Sequence, residues 1–356
     1  MVEIRNIAIN ELSHELEPWS YILCKMKEPN IFLTPDWVKC WNDNYADKYK
    51  SNAILVYKNN ELKAILPLCM YGKKTIKSLS ICSANELYPD HLDIICIENQ
   101  GEYLNYILKY LKNVYKKWHV LTFAFLSKDG EIASYLRSQK IPFWKMVRNE
   151  ERAPYIPLGN GIEKHLASFK KKKRYNLNRE EKNLDSQGAE LFKVTTENEL
   201  KESLKALFDL HSKRSDAKEL ISTFSTKEIK RFHHDLANRL LARGWLGLYL
   251  LKINGKAVSA LYGFKFNKKF YFYQSGLDPE WEKYSVGKIL IYKVLKEIDS
   301  EGCLEFDFLG GEDPYKIYWT KESREMVTMR LYNRNLIGFC LYCIDTMKMK
   351  AKSVLK

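Results

Sequence analysis

From residue 245 the chain alternates apolar and polar positions to 253, meets Asn254-Gly255, and alternates again over 256–266. It turns at 267–269 and alternates a third time over 270–277. A period of two marks half-buried strands, and Asn-Gly between two such runs is a strong hairpin signal. Helical spacing follows over 286–299, then a last alternating run over 303–309. The first half repeats this order. Strand patterns occupy 52–58 and 62–70 around Asn59-Asn60-Glu61, then 75–81 and 91–97; a helical pattern covers 103–116 and a strand pattern 119–126. The offset between the halves is about 190 residues, which predicts an internal repeat.

Helices precede each set of strands. Thr34-Pro35 is an N-cap followed by proline at the first helical position, and Trp37 and Trp41 then share a face. Leu200, Leu204, Leu207, Phe208 and His211 form one stripe over 199–212. Ser225-Thr226-Lys227-Glu228 reads as a capping box opening a helix that buries Ile229, Phe232, His233, Leu236 and Leu240 and ends at Gly244.

Charged residues at 148–152 with Pro154 and Pro157 behind them predict a domain boundary. The expected division is residues 1–155, residues 156–335 and a basic amphipathic tail at 336–356. The fold class is α/β (α+β), with a mixed, mostly antiparallel sheet flanked by helices in each of two tandem domains. With 356 residues and 46% hydrophobic positions the chain fills two cores, which excludes a disordered chain. No apolar run approaches the roughly eighteen residues of a membrane span, and the first residues lack the pattern of a signal peptide; the expected location is the cytoplasm, at most the inner face of a membrane. Most of the eight cysteines lie in strand-like or helix-like runs, and Cys340-x-x-Cys343 has no second pair at a zinc spacing, so no metal is expected. A formal charge of +14 points to anionic partners: nucleic acid, phosphorylated cofactors or anionic lipid.

Candidate chemistry concentrates where the third strand gives way to a helix. Gln274, Ser275 and Gly276 end the strand; Tyr284, Ser285, Val286, Gly287 and Lys288 open the helix, with Ser285 expected as its N-cap. Unpaired N–H groups and the positive end of the dipole make such a start an anion site suited to pyrophosphate. Glu305 and Asp307 then share a strand face, and a glycine-rich loop leads to Tyr315, Lys316 and Trp319. Buried carboxylates are costly unless paired or functional. Asp307 is the candidate acid–base group, Lys316 is placed to meet an anion or Asp307, and Tyr315 stands beside them as a third catalytic candidate. Tyr88, Asp90 and His91 in the first half, and His211 with Arg214 in the second, are candidates for holding an acceptor.

Phe32-Leu33-Thr34-Pro35-Asp36-Trp37, the basic run at 170–179, His211–Arg214, Tyr273-Gln274-Ser275-Gly276, Ser285-Val286-Gly287, Asp307 and Tyr315–Trp319 occur in an order that resembles the FemAB/CelD-like branch of the GNAT acyltransferase superfamily. The resemblance spans residues 30–320. It implies two GNAT-like domains, the first degenerate, with acyl-CoA as co-substrate lodged where the strands at 270–277 and 303–309 splay apart. It further implies transfer of the acyl group to an amine on a small or lipid-linked acceptor, such as an amino sugar of an envelope or polysaccharide precursor. The chain departs from the usual GNAT pyrophosphate loop, keeping only Gly287 of its glycines. FemAB proteins use aminoacyl-tRNA instead, so tRNA binding by the 170–179 run is the first alternative. A non-catalytic accessory protein of polysaccharide synthesis is the second. The tail at 335–356, apolar and lysine-rich, is expected either to lie on an anionic membrane or to pack on the second domain.

Overall fold

The computed structural model describes residues 1–72 and 75–354. It divides into two compact units, Met1–Arg152 with Arg324–Lys356, and Ala153–Ser323. The second boundary differs from the sequence expectation. Residues 324–335 and the tail belong to the first unit, because a strand at Met326–Tyr332 pairs antiparallel with two strands of its sheet. Lys356 lies outside the described residues.

The first unit contains β1 (Val2–Ala8), α1 (Leu16–Lys25), α2 (Pro35–Tyr45), β2 (Lys50–Lys58), β3 (Glu61–Tyr71), β4 (Ser78–Ile81), β5 (Ile95–Cys96), α3 (Gln100–Asn113), β6 (Val120–Ser127), α4 (Glu131–Ser138) and β7 (Trp144–Asn149). The second contains β8 (Ala153–Pro157), α5 (Ile162–Ala167), α6 (Lys171–Asp185), β9 (Ala189–Lys193), α7 (Glu197–Asp216), α8 (Lys227–Ala242), β10 (Leu246–Ile253), β11 (Lys256–Phe266), β12 (Lys269–Leu277), α9 (Val286–Ser300), β13 (Glu305–Asp307) and α10 (Pro314–Trp319). After a short strand β14 (Ser323–Arg324) come β15 (Met326–Tyr332) and α11 (Leu336–Val354) of the first unit. The hairpin–helix–strand order β10-β11-β12-α9-β13 echoes β2-β3-β4-α3-β6, as the repeat predicted.

The first sheet runs β1-β2-β3-β4-β6-β15-β7, with β5 paired to β3. The expected strand at 91–97 shrinks to the two residues of β5. Thr34 caps α2 by accepting from the Trp37 N–H, as its position before Pro35 predicted. In the second sheet β13-β12-β11-β10-β9 are successive neighbours. Asn254 and Gly255, with φ of 51° and 77°, form the tight β10–β11 turn. Thr226, not Ser225, is the N-cap of α8, and its hydroxyl accepts from the Ile229 N–H.

Close backbone approach sets the second sheet. A Cβ on Gly263 would stand 2.7 Å from the Phe270 ring and 2.3 Å from the Tyr271 carbonyl oxygen, so only glycine leaves room for Phe270 across β10–β12. Phe270 in turn stacks on Phe306 of β13 at 5.2 Å. Under α8, His233 is fully buried among Phe224, Phe232, Tyr262 and Tyr273. Burial pushes its imidazole down to about 3.

A histidine held neutral in the fold takes up a proton on unfolding below its ordinary value. The stability it contributes is present above about pH 6.5 and is lost as pH falls from there towards the folded value. Urea unfolding midpoints should therefore fall between about pH 6.5 and 4.5, and His233→Gln should flatten that fall. A slope unchanged by the substitution would assign the acid sensitivity to other groups.

Candidate functional site

Strand β12 outruns its partner. It pairs in parallel with β13 through Lys269, Phe270 and Tyr271 opposite Glu305, Phe306 and Asp307, and β13 ends there. Beyond that point β12 continues to Leu277 against β11 alone, with a bulge at the Tyr262/Gly263 step. The β13-facing edge of β12 from Phe272 onward is thereby left out of the ladder. β13 ends because the chain turns: Leu309 has a φ of 58° and its N–H donates to the Asp307 carboxylate at 2.8 Å.

A cavity of about 540 Å³ fills the space so opened, entirely within the second unit. Ala260, Leu261, Leu277, Leu290 and Ile291 give it apolar walls, and Ser285 to Lys288 place the start of α9 on its surface. Ser285 occupies the N-cap position in a left-handed conformation without capping through its side chain. The sequence-based expectation of a serine cap is thus corrected. The first i→i−4 bond of the helix runs from the Ile289 N–H to the Ser285 carbonyl, so the N–H groups before it have no helical acceptor. Lys288 beside them is ion-paired to Glu180 at 2.5 Å.

Of the residues expected to bind cofactor, Ser275, Gly276, Ser285, Val286, Gly287 and Lys288 line the cavity; Gln274 and Tyr284 do not. Gly276 serves packing as well. A Cβ there would stand 2.5 Å from the His211 nitrogen, so glycine lets α7 lie directly on β12. Gln274 Oε1 accepts a hydrogen bond from His211 Nε2 at 3.2 Å, while His211 Nδ1 meets Ser222 Oγ at 2.9 Å. His211 is buried, outside the cavity lining, and its imidazole is lowered chiefly by burial. It ties the 217–224 segment to α7 and β12, which corrects its expected acceptor role.

Arg214 does line the cavity, its guanidinium donating to Ser275 Oγ at 3.0 Å and lying 5.8 Å from the Tyr315 ring. Trp319 forms part of the wall, stacked on Tyr292 at 6.4 Å. Tyr315 reaches the cavity from α10, packed edge-on to Phe272 and Phe308. Burial raises its phenol above the ordinary value, with Asp313 adding to the effect, so it stays protonated at neutral pH.

Asp307 and Lys316 correct the sequence reading. Neither lines the cavity, and both are buried. Asp307 holds the Leu309 N–H, while the Lys316 ammonium donates to the carbonyls of Gly310 at 2.6 Å and Leu309 at 3.4 Å. They brace one loop from both ends, and that loop carries Asp313 and Tyr315 to the cavity. Glu305, on the same face as Asp307, is ion-paired to Lys269 at 3.6 Å.

Sequence reasoning assigned no role to Asp313, Glu282, Lys218 and Tyr318, which also line the cavity. Asp313 stands two residues before Tyr315, a signal that the prominence of Asp307 concealed. The basic run proved mixed: Lys170, Lys171, Lys172 and Arg174 are exposed. The Lys173 ammonium, however, sits 3.4 Å over the Phe169 ring and 4.0 Å over the Tyr318 ring, and burial lowers it to about 8. Tyr88, Asp90 and His91 belong to the first unit. There the Asn30 side chain donates to the carbonyls of Asp90 and His91, Asp90 is buried, and Tyr88 and His91 have φ of 47° and 57°. No group of three or more His, Cys, Asp or Glu side chains suited to a metal occurs among the described residues.

Residues 171–317 match the family model described as an acetyltransferase (GNAT) domain. The whole fold is similar to a crystal structure of FemX, at a TM-score of 0.67 and 11% identity over 96% of this chain and 99% of that one. It is also similar to the C-terminal domain of a lysylphosphatidylglycerol synthetase from Agrobacterium fabrum, at a TM-score of 0.56 and 9% identity over 92% and 94% of the two chains. L-PGS from Bacillus licheniformis matches at a TM-score of 0.56 and 10% identity, over 92% and 95%. No curated protein matches the chain in sequence. The match to a GNAT domain lies in the second unit, and the fold of the whole chain is shared with FemX.

Two glycines of the site separate packing from access. Gly276→Ala must push α7 backbone aside and should cost about 1–3 kcal/mol of unfolding free energy. Gly287→Ala meets only the Leu277 side chain at 3.3 Å and gains helix propensity, so it should leave the urea midpoint within about 1 kcal/mol of the parent. Equal losses for both would contradict this assignment.

Proposed function

We propose that the second unit is an N-acyltransferase that moves an acyl group from acyl-CoA to an amine. The observation that carries the proposal is the coincidence of three features in one cavity: the stretch of β12 that β13 does not reach, the start of α9 without a side-chain cap, and the protonated Tyr315. The thioester donor supplies an activated acyl carbon. The α9 N–H groups from Val286 to Lys288 suit its pyrophosphate, and the walls formed by Leu277, Leu290 and Ile291 suit its apolar arm.

Direct attack fits this lining. The free amine adds to the acyl carbon, and N–H groups on the open edge of β12 stabilise the oxyanion. The C–S bond breaks as the thiolate leaves; the Tyr315 hydroxyl gives it a proton and regains one from the added nitrogen, which sheds it as the amide forms. Asp313, at the cavity surface, accepts the proton that the ammonium form of the acceptor must lose. Asp307 and Lys316 act as positioning residues, by fixing the loop that presents Asp313 and Tyr315. Arg214 and Lys218 make one wall cationic, which suits an acceptor bearing phosphate or carboxylate, such as an amino sugar of an envelope or polysaccharide precursor. A second reading, aminoacyl transfer from tRNA, is favoured by the exposed cations at the start of α6, which suit a phosphate backbone.

Thermal unfolding with CoA, acetyl-CoA, a longer acyl-CoA and bulk tRNA separates the two. A ligand that binds only the folded chain raises the midpoint by mass action, and CoA species should do so without tRNA. A shift with tRNA alone would replace the first reading by the second; no shift with any would favour an accessory role. In a turnover assay with a donor so identified, Tyr315→Phe and Asp313→Asn should each lower kcat roughly tenfold to a thousandfold with little change in the KM for the donor. Asp307→Asn, which keeps an acceptor for the Leu309 N–H, should fall far less. The reverse ranking would restore Asp307 as the base.

A further inference from the structure

The last helix of the first unit presents an apolar stripe to solvent. Leu336, Cys340, Cys343 and Met347 of α11 follow the i, i+4, i+7, i+11 spacing of one helix face. Leu336 is 78% exposed and Met347 62%, with Ile337, Phe339 and Ile344 also exposed alongside. The opposite face is anchored. Asp345 accepts from Arg330 at 2.8 Å and from the Tyr332 hydroxyl at 2.6 Å. Tyr342 stacks on Trp144, and a Cβ on Gly338 would stand 2.1 Å from the Asn333 carbonyl oxygen. The helix therefore cannot roll its apolar side inward. Surface helices ordinarily show the reverse polarity.

Beside the start of α11 lies a groove of about 500 Å³ whose lining includes Lys109, Lys112, Lys140 and Arg334 and no acid. None of the four forms an ion pair among the described residues. Arg334 is two residues before Leu336, so the cationic groove and the apolar stripe meet. Exposed Lys348 and Lys350 follow at the other end of the helix. No helix among the described residues is long and apolar enough to cross a membrane.

We propose that α11 and this groove dock the protein on an anionic lipid bilayer. The stripe sinks into the headgroup boundary with the helix axis in the membrane plane, and the groove and flanking lysines hold lipid phosphates. Charge complementarity selects this occupant over a second copy of the chain, which would bring the same cations face to face.

Co-sedimentation of the full chain with vesicles tests the proposal. Vesicles of equal parts phosphatidylglycerol and phosphatidylcholine should bind it at low salt, pure phosphatidylcholine vesicles much less, and added salt should weaken the binding. The double substitution Leu336→Asp with Met347→Asp, both on exposed positions, should lower binding roughly tenfold or more at an unchanged melting temperature. Lys112→Glu or Arg334→Glu should each lower it roughly fivefold on anionic vesicles only. Absence of sedimentation, or equal binding to both vesicle types, would overturn the proposal. So would a dimer in sedimentation velocity without lipid that Leu336→Asp dissolves, because the stripe would then be a subunit interface.

Discussion

The second unit depends on a mismatch of length between two neighbouring parallel strands. β12 has nine residues and β13 three. A strand that loses its partner within a sheet leaves backbone groups needing new ones, and a protein core rarely permits that. Here the vacancy is a cavity, with the start of α9 at its surface and α10 across from it. The mismatch is held by one turn. The Asp307 carboxylate takes the Leu309 N–H and Lys316 takes the two following carbonyls, so β13 cannot extend along β12.

The same turn accounts for how chemistry and architecture divide their residues. Buried Asp307 and Lys316 are poorly placed to meet a substrate and well placed to fix a loop. The groups they deliver, Asp313 and Tyr315, are half-buried or exposed and line the cavity. On the opposite side Gly276 lets α7 lie against β12, which brings Arg214 to Ser275 and places a cation over the same space. The cavity is therefore a product of close backbone contacts on one side of β12 and a missing ladder on the other.

Much of this was legible in the chain. The β10–β11–β12 meander could be read from alternation and Asn254-Gly255, because turn chemistry and strand period are local. The starts of α2 and α9 were legible for the same reason, as was the tandem repeat. Of the candidate residues, the strand end at Ser275-Gly276, the helix start at 285–288, Arg214, Tyr315 and Trp319 line one cavity. Asp307, Lys316 and His211 were singled out because buried polar residues attract a functional reading. Their hydrogen bonds go to backbone and neighbouring side chains, which no periodicity reveals.

What the sequence by itself determined was local: where helices and strands begin, which faces are apolar, and that two similar halves follow one another. Tertiary structure alone decided the rest. β15 returns to the first unit because its hydrogen-bonding partners β6 and β7 lie about 180–210 residues away in the chain, beyond the reach of any local pattern. The stripe on α11 looks in sequence like any buried helix face; the anchoring of Asp345 and Tyr342 turns it outward. The register by which β12 outlasts β13 follows from pairing between distant segments, and that register makes the cavity.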